Sequence, residues 1–167
     1  MKKRNAFIAG IGFLLISLFT NLKSADAAPT VVVIEWNLVD LFKHMDWDGD
    51  SKYLENFKYG VGVWEDYKKG VIREDTLFTV EDVFVSDYEE VSSTVGVTSP
   101  QGTIRFNDYK VSYYDDTSLN SVATHEVGHA LGLGHNTEAD VMSPHTNGVV
   151  TLSENDKASY DEAYKSY

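Results

Sequence analysis

The chain contains no cysteine, so no disulfide braces it and no lipid anchor can be attached at a cysteine. Basic residues are scarce: 14 Lys and Arg stand against 26 Asp and Glu, a formal net charge of −12. That balance repels phosphate backbones and anionic bilayers, which argues against nucleic acid or an acidic membrane as a partner. Internal repeats, long linkers and low-complexity tracts are also missing. Histidine is rare as well, with five in 167 residues, yet three of the five fall within eleven positions.

The first residues read as a targeting segment. Met1-Lys2-Lys3-Arg4 is basic, Ala6 to Leu22 is apolar, and Ser24-Ala25-Asp26-Ala27-Ala28 offers a small-residue cleavage site. This is the layout of a secretory signal peptide, with cleavage expected after Ala27. The apolar stretch stands at the lower length limit for a membrane span, so retention as an anchor is the weaker reading. The leader holds four basic residues and one acidic residue, so the mature chain carries a net charge of about −15. Residues 28–167, about 140 in number, are the length of one domain.

The clustered histidines lie in His125-Glu126-Val127-Gly128-His129-Ala130-Leu131-Gly132-Leu133-Gly134-His135. On a helix, His125 and His129 are four apart and share a face. Leu119, Val122, Ala123, Ala130 and Leu131 mark the apolar stripe of that helix, and Asp116, Thr117 and Ser118 are N-cap candidates before it. Gly132 can adopt a left-handed conformation, end the helix and return the chain, which brings His135 toward the other two. Three imidazoles on one zinc ion leave a fourth position for water, as in catalytic rather than structural sites. Zinc lowers the pKa of such a water to roughly 7. Glu126 neighbours the first ligand but points to another part of the helix surface, where it suits a general base and then a general acid. The chemistry is metal-assisted amide hydrolysis.

H-E-x-x-H-x-x-G-x-x-H is the metzincin signature, and the chain most resembles the matrixin (matrix-metalloprotease-like) endopeptidases within that clan. Val141-Met142-Ser143-Pro144 resembles the Met-turn, which implies that Met142 floors the zinc site and that Pro144 lines the pocket for the first primed substrate side chain. Asn56-Phe57 to Trp64-Glu65 resembles the family's first helix. Gly102 to Asn107 resembles the edge strand on which substrate lies, with Ile104 and Phe106 as substrate-binding positions. Leu152-Ser153-Glu154-Asn155-Asp156 resembles the start of the closing helix. The resemblance implies an α/β, zincin-like α+β fold: a twisted, mostly parallel sheet of about five strands with one antiparallel edge strand, two long helices, and a C-terminal helix after the Met-turn. It also implies a secreted, monomeric zinc endopeptidase acting on protein or peptide substrates.

Several positions depart from the family pattern. Asn136 replaces the usual serine after the third histidine, and Thr146 replaces the tyrosine that walls the specificity pocket. Pro144 excludes a tyrosine fifth ligand. Only His44 and His145 remain outside the motif, too few for the family's second, structural zinc, and the propeptide's latency cysteine is missing.

Along the rest of the chain, Val31–Asn37 reads as a first strand and Leu38–Asp50 as connecting chain. Residues 51–68 read as a helix capped by Asp50 or Ser51, in which Gly60 and Gly62 permit close packing against the sheet. Further strands are expected at 76–85, 91–98 and 102–106, with a turn at Ser99-Pro100-Gln101-Gly102. Residues 110–116 read as a loop, and Ser153 as the cap of a final helix. Asp46-Trp47-Asp48-Gly49-Asp50-Ser51 has the opening of a calcium loop but lacks the later glycine and glutamate. Asp87, Glu89, Glu90, Asp108, Asp115 and Asp116 are further calcium-ligand candidates. The competing reading is a catalytically inactive, zinc- or calcium-stabilised secreted binding module, which the retained Glu126 argues against.

Overall fold

A computed structural model describes residues 27–167. The leader reading falls outside them, except for Ala27 at its end. Five strands form one sheet: β1 (Met45–Gly49), β2 (Ile72–Glu74), β3 (Val83–Tyr88), β4 (Gly96–Ser99) and β5 (Thr103–Asn107). Their order is β2-β1-β3-β5-β4, with all neighbours parallel except β4 against β5. The helices are α1 (Leu54–Tyr67), a single turn α2 (Asp108–Val111), α3 (Asp116–Ala130) and α4 (Glu154–Ala163), followed by a short 3₁₀ turn. The expected architecture is therefore present: a mostly parallel sheet with one antiparallel edge strand, two long helices and a closing helix. No described helix is long and apolar enough to cross a membrane.

Strand boundaries differ from expectation for identifiable reasons. Val31–Asn37 does not join the sheet. It runs along the loop after α3, where Val33 bridges Leu133, Ile34 donates to the Gly132 carbonyl and Leu38 to the Ala130 carbonyl. The first true strand is β1, inside the expected connecting segment. Its carboxylates disguise it, but Asp46 is paired by Arg73 from neighbouring β2 through two 2.8 Å bonds. Asp46 is thus committed to an ion pair, and residues 45–49 of that segment are a strand rather than a loop. β2 is short and unexpected. Glu65 ties it to the end of α1 by accepting from the amides of Gly70, Val71 and Ile72. Residues 76–82, expected as strand, form a loop crossing β1, with Asp75 donating to the Trp47 carbonyl and Asp82 to the Asp46 carbonyl.

The third and fourth expected strands form a hairpin around the predicted Ser99–Gly102 turn, where Gly102 takes φ +81 and donates to the Ser99 carbonyl. The hairpin turns inward. β5 pairs on both sides and β4 is the free edge. Ile104 and Phe106 are fully buried in the core, while Arg105 between them faces out. Neither buried side chain can touch a substrate, and no backbone group of β5 is left for strand addition. The assignment of Ile104 and Phe106 to substrate binding is corrected on both counts.

The core lies between the sheet and α1, α3 and α4, built around Phe57, Trp64, Val85, Phe106, Val127 and Tyr160. α1 crosses α3 at Gly60. A Cβ there would stand 2.8 Å from the Thr124 backbone nitrogen and 2.9 Å from Thr124 Cα. One turn on, Trp64 Nε1 donates 2.8 Å to the Thr124 carbonyl, wholly buried. The glycine therefore serves helix-on-helix contact with α3 rather than contact with the sheet, and Gly62 meets nothing within 4 Å. The two positions predict opposite outcomes in chemical denaturation. Gly60→Ala, which forces two backbones apart, loses about 1–3 kcal/mol. Gly62→Ala, which only removes helix-disfavouring glycine at an exposed site, gains roughly 0.5–1 kcal/mol.

Candidate active site

α3 begins at an N-cap different from those expected. Asp115 accepts from the Ser118 amide at 2.8 Å, one residue before the predicted candidates. The helix then runs through the first two motif histidines and stops at Gly132, whose φ is +89. Gly132 donates to the His129 carbonyl at 2.9 Å and Leu133 to the Gly128 carbonyl at 3.0 Å. Those two bonds make a Schellman motif, the left-handed glycine termination foreseen from the sequence. The reversed chain carries His135 back beside the helix.

The three rings converge. One ring nitrogen from each of His125, His129 and His135 lies within 4.8 Å of the others, and His129 Nε2 is 3.2 Å from His135 Nε2. The other nitrogens of the helical pair are occupied. His125 Nδ1 is 2.9 Å from the Val141 carbonyl, and His129 Nδ1 is 2.8 Å from the Leu133 carbonyl. A carbonyl accepts, so each Nδ1 carries the hydrogen and each Nε2 presents a lone pair. Burial, reinforced by neighbouring rings, pushes both imidazoles down to about 4, so both are neutral near pH 7. The Nε2 atoms of His129 and His135, 3.2 Å apart, can share either one hydrogen or one cation. The donor set fits zinc: three converging imidazoles, two of them neutral and oriented by backbone carbonyls.

Met142 supports the rings from below. It is 1 % exposed, and a Cβ on Gly128 would overlap its sulfur, so Gly128 is the gap that lets the methionine reach under the helix between the two ligands. The Met-turn backbone is itself held. Asp156, fully buried on α4, accepts from the Val141 amide at 3.0 Å and the Met142 amide at 3.1 Å. The same carboxylate closes the capping box with Ser153, accepting from the Ser153 amide at 2.9 Å. A continuous path therefore runs from Asp156 through the Val141 peptide to the His125 ring. The sequence pattern revealed the capping serine, but nothing in it revealed that Asp156 also holds the Met-turn.

Glu126 faces the other side of α3 and is 4 % exposed. Burial pushes its carboxyl upward, opposed by His129 and by a hydrogen bond from Thr98. A cleft of about 580 Å³ opens here. Its walls include Gly96, Val97 and Thr98 of edge strand β4, the four motif side chains at 125, 126, 129 and 135, and Pro144 with Thr146 on the far side. Pro144 thus borders the cleft, whereas Ile104 and Phe106 do not. His145 sits on the rim, 78 % exposed and 3.8 Å from Glu138. Among the calcium-candidate carboxylates, Asp87 on β3 accepts from Ser51 and Lys52, and Asp108 at the start of α2 from Lys52 and Tyr53.

A family model described as Matrixin matches residues 33–165. The chain belongs to the matrixin family. No curated protein matches the sequence. For a matrixin, the fold and the His125–His129–His135 cluster carry a plain consequence: the family is zinc-dependent, and membership implies metallopeptidase activity on peptide or protein substrates.

Two measurements follow from this geometry. The metal-free protein should lose stability as pH falls from about 6.5 toward 4, because there the unfolded imidazoles take up protons that the buried rings at 125 and 129 refuse. Thermal midpoints recorded with chelator across that range test this, and zinc should flatten the upper part of the curve. Asp156→Asn keeps the shape but turns an amide hydrogen toward amide donors. It should cost about 1–3 kcal/mol and weaken zinc retention in dialysis against a competing chelator, because His125 loses its anchored carbonyl.

Proposed function

We propose that this matrixin is a secreted zinc endopeptidase in which His125, His129 and His135 hold the metal and Glu126 is the general base. One observation carries the reading: three imidazoles whose ring nitrogens converge lie beside a buried carboxylate at the wall of a cleft bounded by a free strand edge. A bound zinc supplies Lewis acidity, acidifying a water and polarising a carbonyl.

The residues of the chain supply the rest. An extended peptide adds as a further strand to the outer edge of β4, so that main-chain hydrogen bonds fix its register whatever its side chains. This replaces the expected alignment along residues 104–107. Glu126 takes a proton from the attacking water and later passes it to the leaving amine, and its burial raises its proton affinity toward what a base working near neutrality needs. Pro144 and Thr146 border the space available to substrate side chains. With threonine in place of a pocket-walling tyrosine, that side of the cleft is lined by a smaller group. Residues 1–27 act as the signal peptide for export, and residues 28–167 are the catalytic domain.

A zinc-stabilised binding module without catalysis is the competing reading, and one experiment separates the two. The protein from residue 28 onward should cleave casein or gelatin, lose that activity to chelator and regain it with zinc. Glu126→Ala should retain stoichiometric zinc and yet lose roughly 10²–10⁴-fold in kcat. Full activity in that variant would sink the assignment of the base. No activity in the zinc-loaded natural sequence would favour the binding module.

A further inference from the structure

The general base is held by the strand that receives the substrate. Thr98 on β4 places its Oγ1 2.6 Å from Glu126 Oε2 and 2.9 Å from the Glu126 backbone carbonyl. Two positions earlier, Gly96 leaves a gap. A Cβ there would stand 2.7 Å from Glu126 Oε1 and 2.9 Å from its Cγ. Both side-chain positions lie on the same side of β4, as alternate residues must. The carboxylate is thus seated between a hydroxyl and a space only glycine leaves.

The two carboxylate oxygens differ. Oε2 has the Thr98 hydroxyl, whereas Oε1 makes no hydrogen bond among the described residues. Oε1 therefore stays free of protein partners among those residues, on a side chain that lines the cleft. A hydroxyl has one hydrogen to give, and a carboxylate oxygen that receives it is the poorer acceptor for a second proton.

We infer that Thr98 is a positioning residue: its hydroxyl pins Glu126 Oε2, and the Gly96 gap leaves Oε1 as the oxygen that exchanges the proton with the reacting water. This rests on Glu126 as the general base and adds a division of labour between its oxygens. In the step concerned, the water's O–H bond breaks, its proton goes to Oε1, and its oxygen bonds to the scissile carbonyl carbon as that carbonyl's π pair moves onto its own oxygen. Thr98 forms no covalent bond and loses no proton. Because substrate adds to the same strand, β4 both aligns the peptide and fixes the base that acts on it.

The test compares Thr98→Val, Thr98→Ala and Thr98→Ser in the zinc-loaded protein, with Glu126→Ala as reference. Removing a hydrogen bond to a charged group should lower kcat roughly 10- to 100-fold in T98V and T98A, with KM and zinc content close to those of the natural sequence. T98S, which keeps the hydroxyl, should recover kcat to within about threefold. In an E126A background, T98V should lose nothing further, because the hydroxyl acts only through the carboxylate. Natural kcat in T98V and T98A, or a loss confined to KM, overturns the inference, as does T98S failing as badly as T98V. If T98V does not fold, T98A carries the same expectation. Inactive E126A beside fully active T98A would sink Thr98 alone, whereas active E126A would sink the general-base reading beneath it.

Discussion

Gly132 determines more of this molecule than any other backbone position. A helix that continued past Leu131 would carry His135 away from the face shared by His125 and His129. The left-handed turn stops the helix, satisfies two of its terminal carbonyls, and presents the Leu133 carbonyl to His129 Nδ1. The same reversal sets residues 133–134 alongside the incoming chain, so that Gly134 donates to the Val32 carbonyl and Ile34 to the Gly132 carbonyl. Beyond it, the hydroxyl of Tyr167 donates to the Leu131 carbonyl from the other end of the chain. Both ends of the described domain are therefore tied to the turn that brings the third histidine home. A side chain at 132 would be strained by φ alone and would also stand 3.2 Å from Asn37 Cβ.

The electrostatics of the site follow from the same compactness. The chain is strongly acidic, yet the groups that meet at the cleft floor are two half-buried neutral imidazoles and a buried carboxylate of raised proton affinity. Desolvation dominates all three shifts, and it acts in opposite directions on the bases and the acid because in each case it disfavours charge. A divalent cation held by the three rings would give the carboxylate a positive neighbour and so favour its charged form. The polypeptide holds this arrangement ready through carbonyl acceptors at 133 and 141, and Asp156 in turn fixes the second of these.

What the sequence made legible was chemistry that is local along the chain. Three histidines, their glutamate and the terminating glycine occupy eleven residues, and helical geometry relates them without knowledge of the rest of the fold. The Met-turn and the closing helix were legible for the same reason, each being a short run with its own signal. Strand identity was less so. Val31–Asn37 has strand composition but spends it on a single bridge to the motif loop, while β1 carries aspartates that only Arg73, 27 residues away, makes tolerable in the sheet. The turn at Ser99–Gly102 announced a hairpin without saying which arm would be outermost. That depends on which arm pairs with β3, a contact between segments about twenty residues apart, and it decided whether residues 104 and 106 or residues 96 to 98 meet the cleft. Thr98 and Asp156 carry no motif, because a hydroxyl and a carboxylate gain their roles here solely from what folding sets against them.

The placement of β4 has a consequence for how binding and chemistry are linked. A strand edge that accepts a peptide must keep its outward amides and carbonyls free, and such edges are the least constrained part of a sheet. Here the inner side of the edge is not free to drift. Thr98 bonds to Glu126 on α3, and Gly96 packs against the same side chain. On the proposed docking, a peptide that orders β4 would order the carboxylate as well, because the two are joined by contacts under 3 Å. With Glu126 as the proposed base and β4 as the proposed docking strand, poorly paired ligands should meet a less well-oriented carboxylate than correctly registered ones. Selectivity among peptides can then arise from main-chain pairing as well as from the side-chain pocket, which matters in a cleft whose far wall carries threonine at 146.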